Sequence, residues 1–200
     1  MMKLVMGLGN PGEQYKNHRH NIGYMILDRI AKKLDVELDI KKKKTIFGRS
    51  KKGKIEYLLL KPQTFTKLSG EAALYMASFM KISVDDIIVI YDDMNLPIGQ
   101  FEIIVSNDNY LKYNNYYDKF QHNGVLSIVE SLKSDNFTKI GVGIGVPNIE
   151  NFSDTDISEF LLSPFTKVER KKIKDISDDI VDATCIALFE SPQAAKKKYS

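Results

Sequence analysis

The sequence is poor in residues that staple a chain or carry it across a bilayer. Its 200 residues include one cysteine, Cys185, so no disulfide can close within the chain. Neither a CxxC pair nor an HExxH stretch occurs, which removes the common zinc spacings. No apolar run approaches the roughly 18 residues that argue for a transmembrane helix. The opening Met1-Met2-Lys3-Leu4-Val5-Met6-Gly7 is broken too early by glycine to read as a secretion signal. No G-x-S-x-G elbow presents a serine, and Cys185 falls in a predicted terminal helix, so no covalent nucleophile is indicated. Together these absences lead to the expectation of a soluble, cytoplasmic protein.

What is present is an ordinary globular balance, with 43% hydrophobic and 28% charged residues in a chain long enough for one sizeable core. The net charge of +3 permits a polyanionic partner without demanding one. Lysines gather at 41–44, at Lys51, Lys52 and Lys54, at Lys171 and Lys172, and at 196–198. Each run reads first as a solvated loop, and residues 194–200 read as a frayed tail. The segment 41–54 flanks predicted strands, which leaves phosphate contact there as an open alternative.

Hydrophobic spacing alternates between strand and helix periods along the chain. Strands are expected at 3–8, 45–49, 55–60, 87–91, 100–105 and 138–144. Pro62 closes the third of these, because proline cannot donate to a sheet ladder. Helices are expected at 20–34, 67–80 and 123–132. Thr166 with Glu169 forms a capping box that opens a last helix reaching about residue 189. This alternation implies an α/β fold with a three-layer α/β/α sandwich around a mixed, mostly parallel sheet. One domain is expected over 1–190, followed by a basic tail at 191–200. Residues 106–121, rich in Asn, Asp, Tyr and Lys, read as a long surface loop.

Three places could carry chemistry. Gly7-Leu8-Gly9-Asn10-Pro11-Gly12 matches GxGxxG after a strand, but a dinucleotide site needs the last glycine inside an opening helix. Asn10-Pro11-Gly12 is a turn signal instead, leaving Asn10 as a polar side chain at the strand's carboxyl end. His20 lies at the mouth of the first predicted helix, where the dipole favours a neutral, basic imidazole. His18 and His122 compete with it on composition alone. Asp92 and Asp93 follow the most apolar strand, where a carboxylate can orient an imidazole or simply cap a turn. A histidine–aspartate pair that activates water is the economical reading.

The ordered set of motifs resembles the bacterial peptidyl-tRNA hydrolase family. It comprises 5–12, Tyr15, Arg19-His20-Asn21-Ile22-Gly23, Lys61-Pro62-Gln63-Thr64-Phe65 with Leu68-Ser69-Gly70, Asp92, His122-Asn123-Gly124 and Gly143-Ile144-Gly145. The resemblance runs from residue 3 to about 190. It implies hydrolysis of the ester joining a peptide to the 3′ ribose of tRNA by a monomer, without metal or cofactor. By that analogy His20 deprotonates water, Asp92 supports it, and Asn10 contacts substrate at the scissile ester. Tyr15, Phe65 and Asn123 would line the cleft that holds the peptide and the acceptor end.

Departures from the family pattern cluster in that cleft. Thr66-Lys67 stands where the family usually has Met-Asn, so a charge replaces a substrate-binding amide and Lys67 becomes a candidate substrate contact. The glycine-rich loop before His122 is replaced by 106–121, with Tyr110, Tyr113, Tyr116 and Tyr117. Ile104 and Gly141 fall near the family's phosphate-holding basic residues, with only Lys139 nearby. A divergent hydrolase gripping RNA through Lys67 and the tyrosine loop, a hydrolase for another acyl ester, and a binding protein that kept the fold are all compatible with these departures.

Overall fold

The computed structural model describes residues 1–105, 121–147 and 153–199, so Tyr110, Tyr113, Tyr116 and Tyr117 lie outside the described residues. In chain order the strands are β1 Met2–Gly7, β2 Ile40–Lys42, β3 Thr45–Lys52, β4 Ile55–Pro62, β5 Ile87–Asp93, β6 Phe101–Ile104 and β7 Thr138–Gly143. The helices are α1 Ile22–Lys33, α2 Ser69–Met80, α3 Asn123–Leu132, α4 Asp154–Leu161, α5 Lys167–Phe189 and α6 Pro192–Tyr199. The sheet order is β2-β3-β4-β1-β5-β7-β6. β4, β1, β5 and β7 run parallel, while β3 and β6 run against their neighbours.

Strand periodicity explains the layers. In β1, Val5 packs on one face against Ile22, Ile26 and Ile30 of α1 and the apolar side of α5. Leu4 and Met6 point the other way, into α2 and α3 through Ala73, Met76, Val125 and Ile128. β5 is buried on both sides, with Ile88 and Ile90 in the first cluster and Ile87, Val89 and Tyr91 in the second. This is the three-layer sandwich expected from the alternation of periods.

Two glycines set where α1 begins. A Cβ on Gly23 would stand 2.4 Å from the Ile90 carbonyl oxygen, and one on Gly7 would stand 2.4 Å from the Gly23 carbonyl oxygen. Only bare backbone lets the start of α1 approach the ends of β1 and β5 so closely. That approach brings the residues just before α1 over the carboxyl end of β5.

The C-terminal segment corrects the expectation of a frayed tail. Residues 192–199 form α6, with Ala195 fully buried and the Tyr199 hydroxyl donating to Asp182 at 2.8 Å. Lys197 and Lys198 are exposed, as expected of a solvated run, and the helix is anchored by the single residues Ala195 and Tyr199 set among the lysines.

Candidate active site

The site lies at the carboxyl ends of β1, β4 and β5, where an open α/β sheet leaves a crevice. Asp92, near the end of β5, is 3% exposed. Its carboxylate accepts from two imidazoles, with His20 Nδ1 at 3.0 Å and His122 Nε2 at 2.9 Å. Burial pushes the Asp92 carboxyl up, but the two imidazoles, His20 foremost, overcome this and hold it well below the usual carboxylate range. It is therefore a fixed negative charge.

The two histidines are held differently. His122 caps α3: its Nδ1 accepts from the Gly124 and Val125 backbone N–H groups at 3.1 and 3.2 Å. Accepting there requires an unprotonated Nδ1, so the ring proton sits on Nε2 and points at Asp92. His20 gives only Nδ1 to Asp92 and lines the cleft, which leaves Nε2 as the nitrogen facing it. Burial lowers the His20 pKa, while the charge and hydrogen bond of Asp92 raise it, and the net shift from 6.5 is upward. The carboxylate in direct contact therefore raises the basicity of the imidazole that the position at a helix mouth alone would favour as neutral.

His20, Asp92 and His122 are the one group among the described residues whose ligand atoms lie close enough, within 4.8 Å, to surround a cation. Ligation through His122 Nε2 would move the ring proton to Nδ1, against two backbone donors. The donor set fits a hydrogen-bonded relay and does not fit a metal ion.

Asn10 is fixed from three sides. Its backbone N–H donates to Asn21 Oδ1 at 3.0 Å, and Asn21 Nδ2 donates back to the Asn10 carbonyl at 2.9 Å. Its side-chain Oδ1 accepts from the Thr66 N–H and the Thr66 hydroxyl, both at 2.9 Å. With Oδ1 occupied, the amide NH₂ is what Asn10 presents to the cleft. Gly12, at φ 119°, completes the turn, and α1 opens only at Ile22, so the glycines do not form a dinucleotide loop.

A cleft of about 440 Å³ is lined by Asn10, His20, Phe65, Thr66, Lys67 and Asn123, closed on one side by Ser158, Leu161 and Leu162 of the α4 end. Asn10, His20, Phe65, Lys67 and Asn123 are thereby brought together over Asp92. Tyr15 is not: it sits edge-on to His18, with ring centroids 5.5 Å apart, outside the lining. Asp93 turns away and accepts from the Asn95 N–H and the Tyr91 hydroxyl, the turn-capping role weighed for this pair. Lys139 is buried, its ammonium donating to the Asp135 and Phe137 carbonyls, so it does not serve as the surface cation its position suggested.

Arg19 ties this wall to His20. One guanidinium nitrogen donates to the Ser163 hydroxyl and to the Ser163 and Pro164 carbonyls, and the other to both Glu169 oxygens at 2.7 and 3.0 Å. Glu169 also closes the capping box of α5, so one residue starts that helix and anchors the residue beside His20.

Sequence reasoning missed His122 as a partner of Asp92, Thr66 as the residue orienting Asn10, and α4 as a wall. The capping box of α4, Ser153 with Asp156, was written in the sequence. The other two depend on contacts across the fold.

A buried carboxylate orienting an imidazole whose second nitrogen faces a cleft, with a fixed amide donor opposite, is the arrangement of an acid–base hydrolase. The peptidyl-tRNA hydrolase family model matches residues 4–200, and the chain belongs to that family. The peptidyl-tRNA hydrolase of Clostridium botulinum strain Hall is 38% identical over 189 residues, covering 94% of this chain and 91% of that one. That of Shouchella clausii is 43% identical over 146 residues, covering 73% and 74%. The crystal structure of peptidyl-tRNA hydrolase from Acinetobacter baumannii superposes with a TM-score of 0.85 at 24% identity, covering 99% of this chain and 94% of that one, a likeness of fold.

Proposed function

We propose that this chain hydrolyses peptidyl-tRNA, cleaving the ester between the peptide and the 3′ ribose. The observation that carries the reading is the His20–Asp92 pair, with Nε2 left toward a cleft that also holds the Asn10 amide. His20 Nε2 takes a proton from water as the water oxygen attacks the ester carbonyl carbon. Asp92 keeps Nδ1 protonated and balances the imidazolium that forms. The Asn10 NH₂ donates to the carbonyl oxygen as it gains negative charge. Collapse breaks the bond to the ribose oxygen, which takes its proton from His20, releasing a free 3′ hydroxyl and a peptide carboxylic acid that loses its remaining proton to solvent. An ester is already activated, so positioning and one proton relay suffice.

Phe65, 55% exposed, and Asn123 offer a stacking face and an amide for the terminal nucleotide. Lys67 brings a cation to the cleft rim, and among the described residues no carboxylate pairs with it. The reading includes a monomer working in the cytoplasm on the acceptor end of the tRNA. No helix among the described residues is long and apolar enough to cross a membrane. The test is release of peptide from N-blocked aminoacyl-tRNA, with His20→Ala beside the wild type. Turnover that disappears in the variant supports the reading; a folded wild type with no turnover contradicts it.

A further inference from the structure

The edge of the sheet that carries the site has two flanks, and among the described residues they differ in charge. On the β6–β7 side, β6 exposes Glu102, and the Lys139 ammonium of β7 is turned inward onto backbone carbonyls. On the opposite side, the turn from β2 to β3 exposes Lys42, Lys43 and Lys44. Thr45 pairs with Pro62, which places that turn at the same end of the sheet as the site. The Gln63 N–H donates to the Lys44 carbonyl at 2.7 Å, and the chain then runs on to Phe65 and Lys67 in the cleft. The turn is therefore continuous with the rim of the cleft.

Its outer side faces α2. Ile40 pairs with Phe47, which packs in the core under α2, so Lys42, two residues on, projects to that same face. The Lys42 ammonium lies 3.7 Å from the centre of the Phe79 ring, and Phe79 stacks on Tyr75 at 5.8 Å and 8°. Phe79 is 50% exposed. A shallow depression of about 190 Å³ between turn and helix is lined by Lys43, Lys44, Thr45, Glu71, Ala72 and Tyr75. The one acid there, Glu71, meets Lys44 at 3.3 Å with both side chains more than half exposed, a weak pair that a phosphate can displace.

We propose that this face, Lys42, Lys43 and Lys44 with Tyr75 and Phe79, is the docking surface for the acceptor arm of the substrate tRNA, which enters the cleft past Lys67 and Phe65. The proposal rests on the hydrolase reading above. Lysine ammoniums are point charges suited to phosphates without sequence preference, and an RNA backbone offers them at close, regular spacing. Exposed rings beside cations suit nucleotide stacking. An acidic protein would satisfy the charges but would have no use for the stacked ring pair.

The test compares Lys43→Gln/Lys44→Gln with the wild type on two substrates: full-length N-blocked aminoacyl-tRNA, and the same acyl group on a short 3′-terminal oligonucleotide. The expected result is a rise in KM of about tenfold on tRNA, unchanged kcat, and unchanged kinetics on the short ester. The slope of log(kcat/KM) against log salt should flatten by roughly 1.8, about 0.9 for each of two lost phosphate contacts. Lys171→Gln/Lys172→Gln, which removes two cations of α5 elsewhere, should behave as wild type. Equal KM and slope in the turn variant and the wild type would overturn the proposal. So would a loss shared by the short ester, or one confined to the α5 variant. Binding of uncharged tRNA to His20→Ala, with and without the turn substitutions, reads the surface independently of turnover. Salt-sensitive binding that the turn substitutions weaken, together with no turnover by the folded wild type, would uphold the surface and sink the hydrolase reading. Capture of a polyglutamate peptide but not tRNA would overturn the surface.

Discussion

His20 and His122 grip the same carboxylate, yet they are built for opposite tasks. His122 spends both ring nitrogens on the protein, one on Asp92 and one on the first turn of α3. His20 spends one and keeps the other for the cleft. Two imidazoles at a buried acid do not make two bases. In the proposed mechanism the one with a free nitrogen moves the proton, and the other holds the acid in place.

The sharpest way to test the contrast is to remove His20. His20→Ala is expected to lower kcat by a factor on the order of 10²–10⁴, the usual worth of a positioned base, with little change in tRNA binding. Asp92→Asn comes next, with a loss on the order of 10² or more, because Nδ1 loses the acceptor that fixes its tautomer. It carries a second signature. The ascending limb of kcat/KM against pH should lie above 6.5 in the wild type, since the Asp92 charge raises His20, and should move down in the variant, where burial acts alone. A limb that stays in place would separate Asp92 from His20.

His122→Asn keeps a side-chain acceptor for the start of α3 but takes a donor from Asp92. It should cost about 2 kcal/mol of stability by losing a hydrogen bond to a charged group, measured by urea unfolding. Its kcat should stay within about tenfold of wild type. The smallest effect belongs to Thr66→Val, which removes one of two donors to Asn10 Oδ1 and should slow kcat about fivefold, roughly 1 kcal/mol.

The same pair sets opposing pH demands on stability and activity. His20 has a raised folded pKa, so its pairing with Asp92 stabilises fully below 6.5 and is lost as pH rises through the folded value. Asp92 has a lowered folded pKa, so its contribution is present above 3.8 and lost only as pH falls through the lower folded value. Melting temperature should therefore be highest on the acid side of the activity limb, a separation that Asp92→Asn should erase.

Much of this was legible in the sequence because its signals are local. The apolar run of β5 and the capping box of α5 each name their element within a few residues. Asn10, His20 and Asp92 lie at strand and helix ends where the crevice of an α/β sheet must form. What the sequence hid is tertiary. His122 meets Asp92 across 30 positions, and its place before a predicted helix gives no sign of that contact. α6 is held by Ala195 and Tyr199 amid lysines, so its composition spoke for solvent while its contacts did not. β2 is three exposed residues whose only reason to be a strand is the edge of β3.

The most direct measurement is single-turnover cleavage of N-blocked aminoacyl-tRNA at saturating enzyme, with His20→Ala and His122→Asn run side by side and both folds verified. The account predicts a loss of at least about a hundredfold in the first and no more than about tenfold in the second. Equal inactivity of two folded variants would contradict the division of labour between the two histidines.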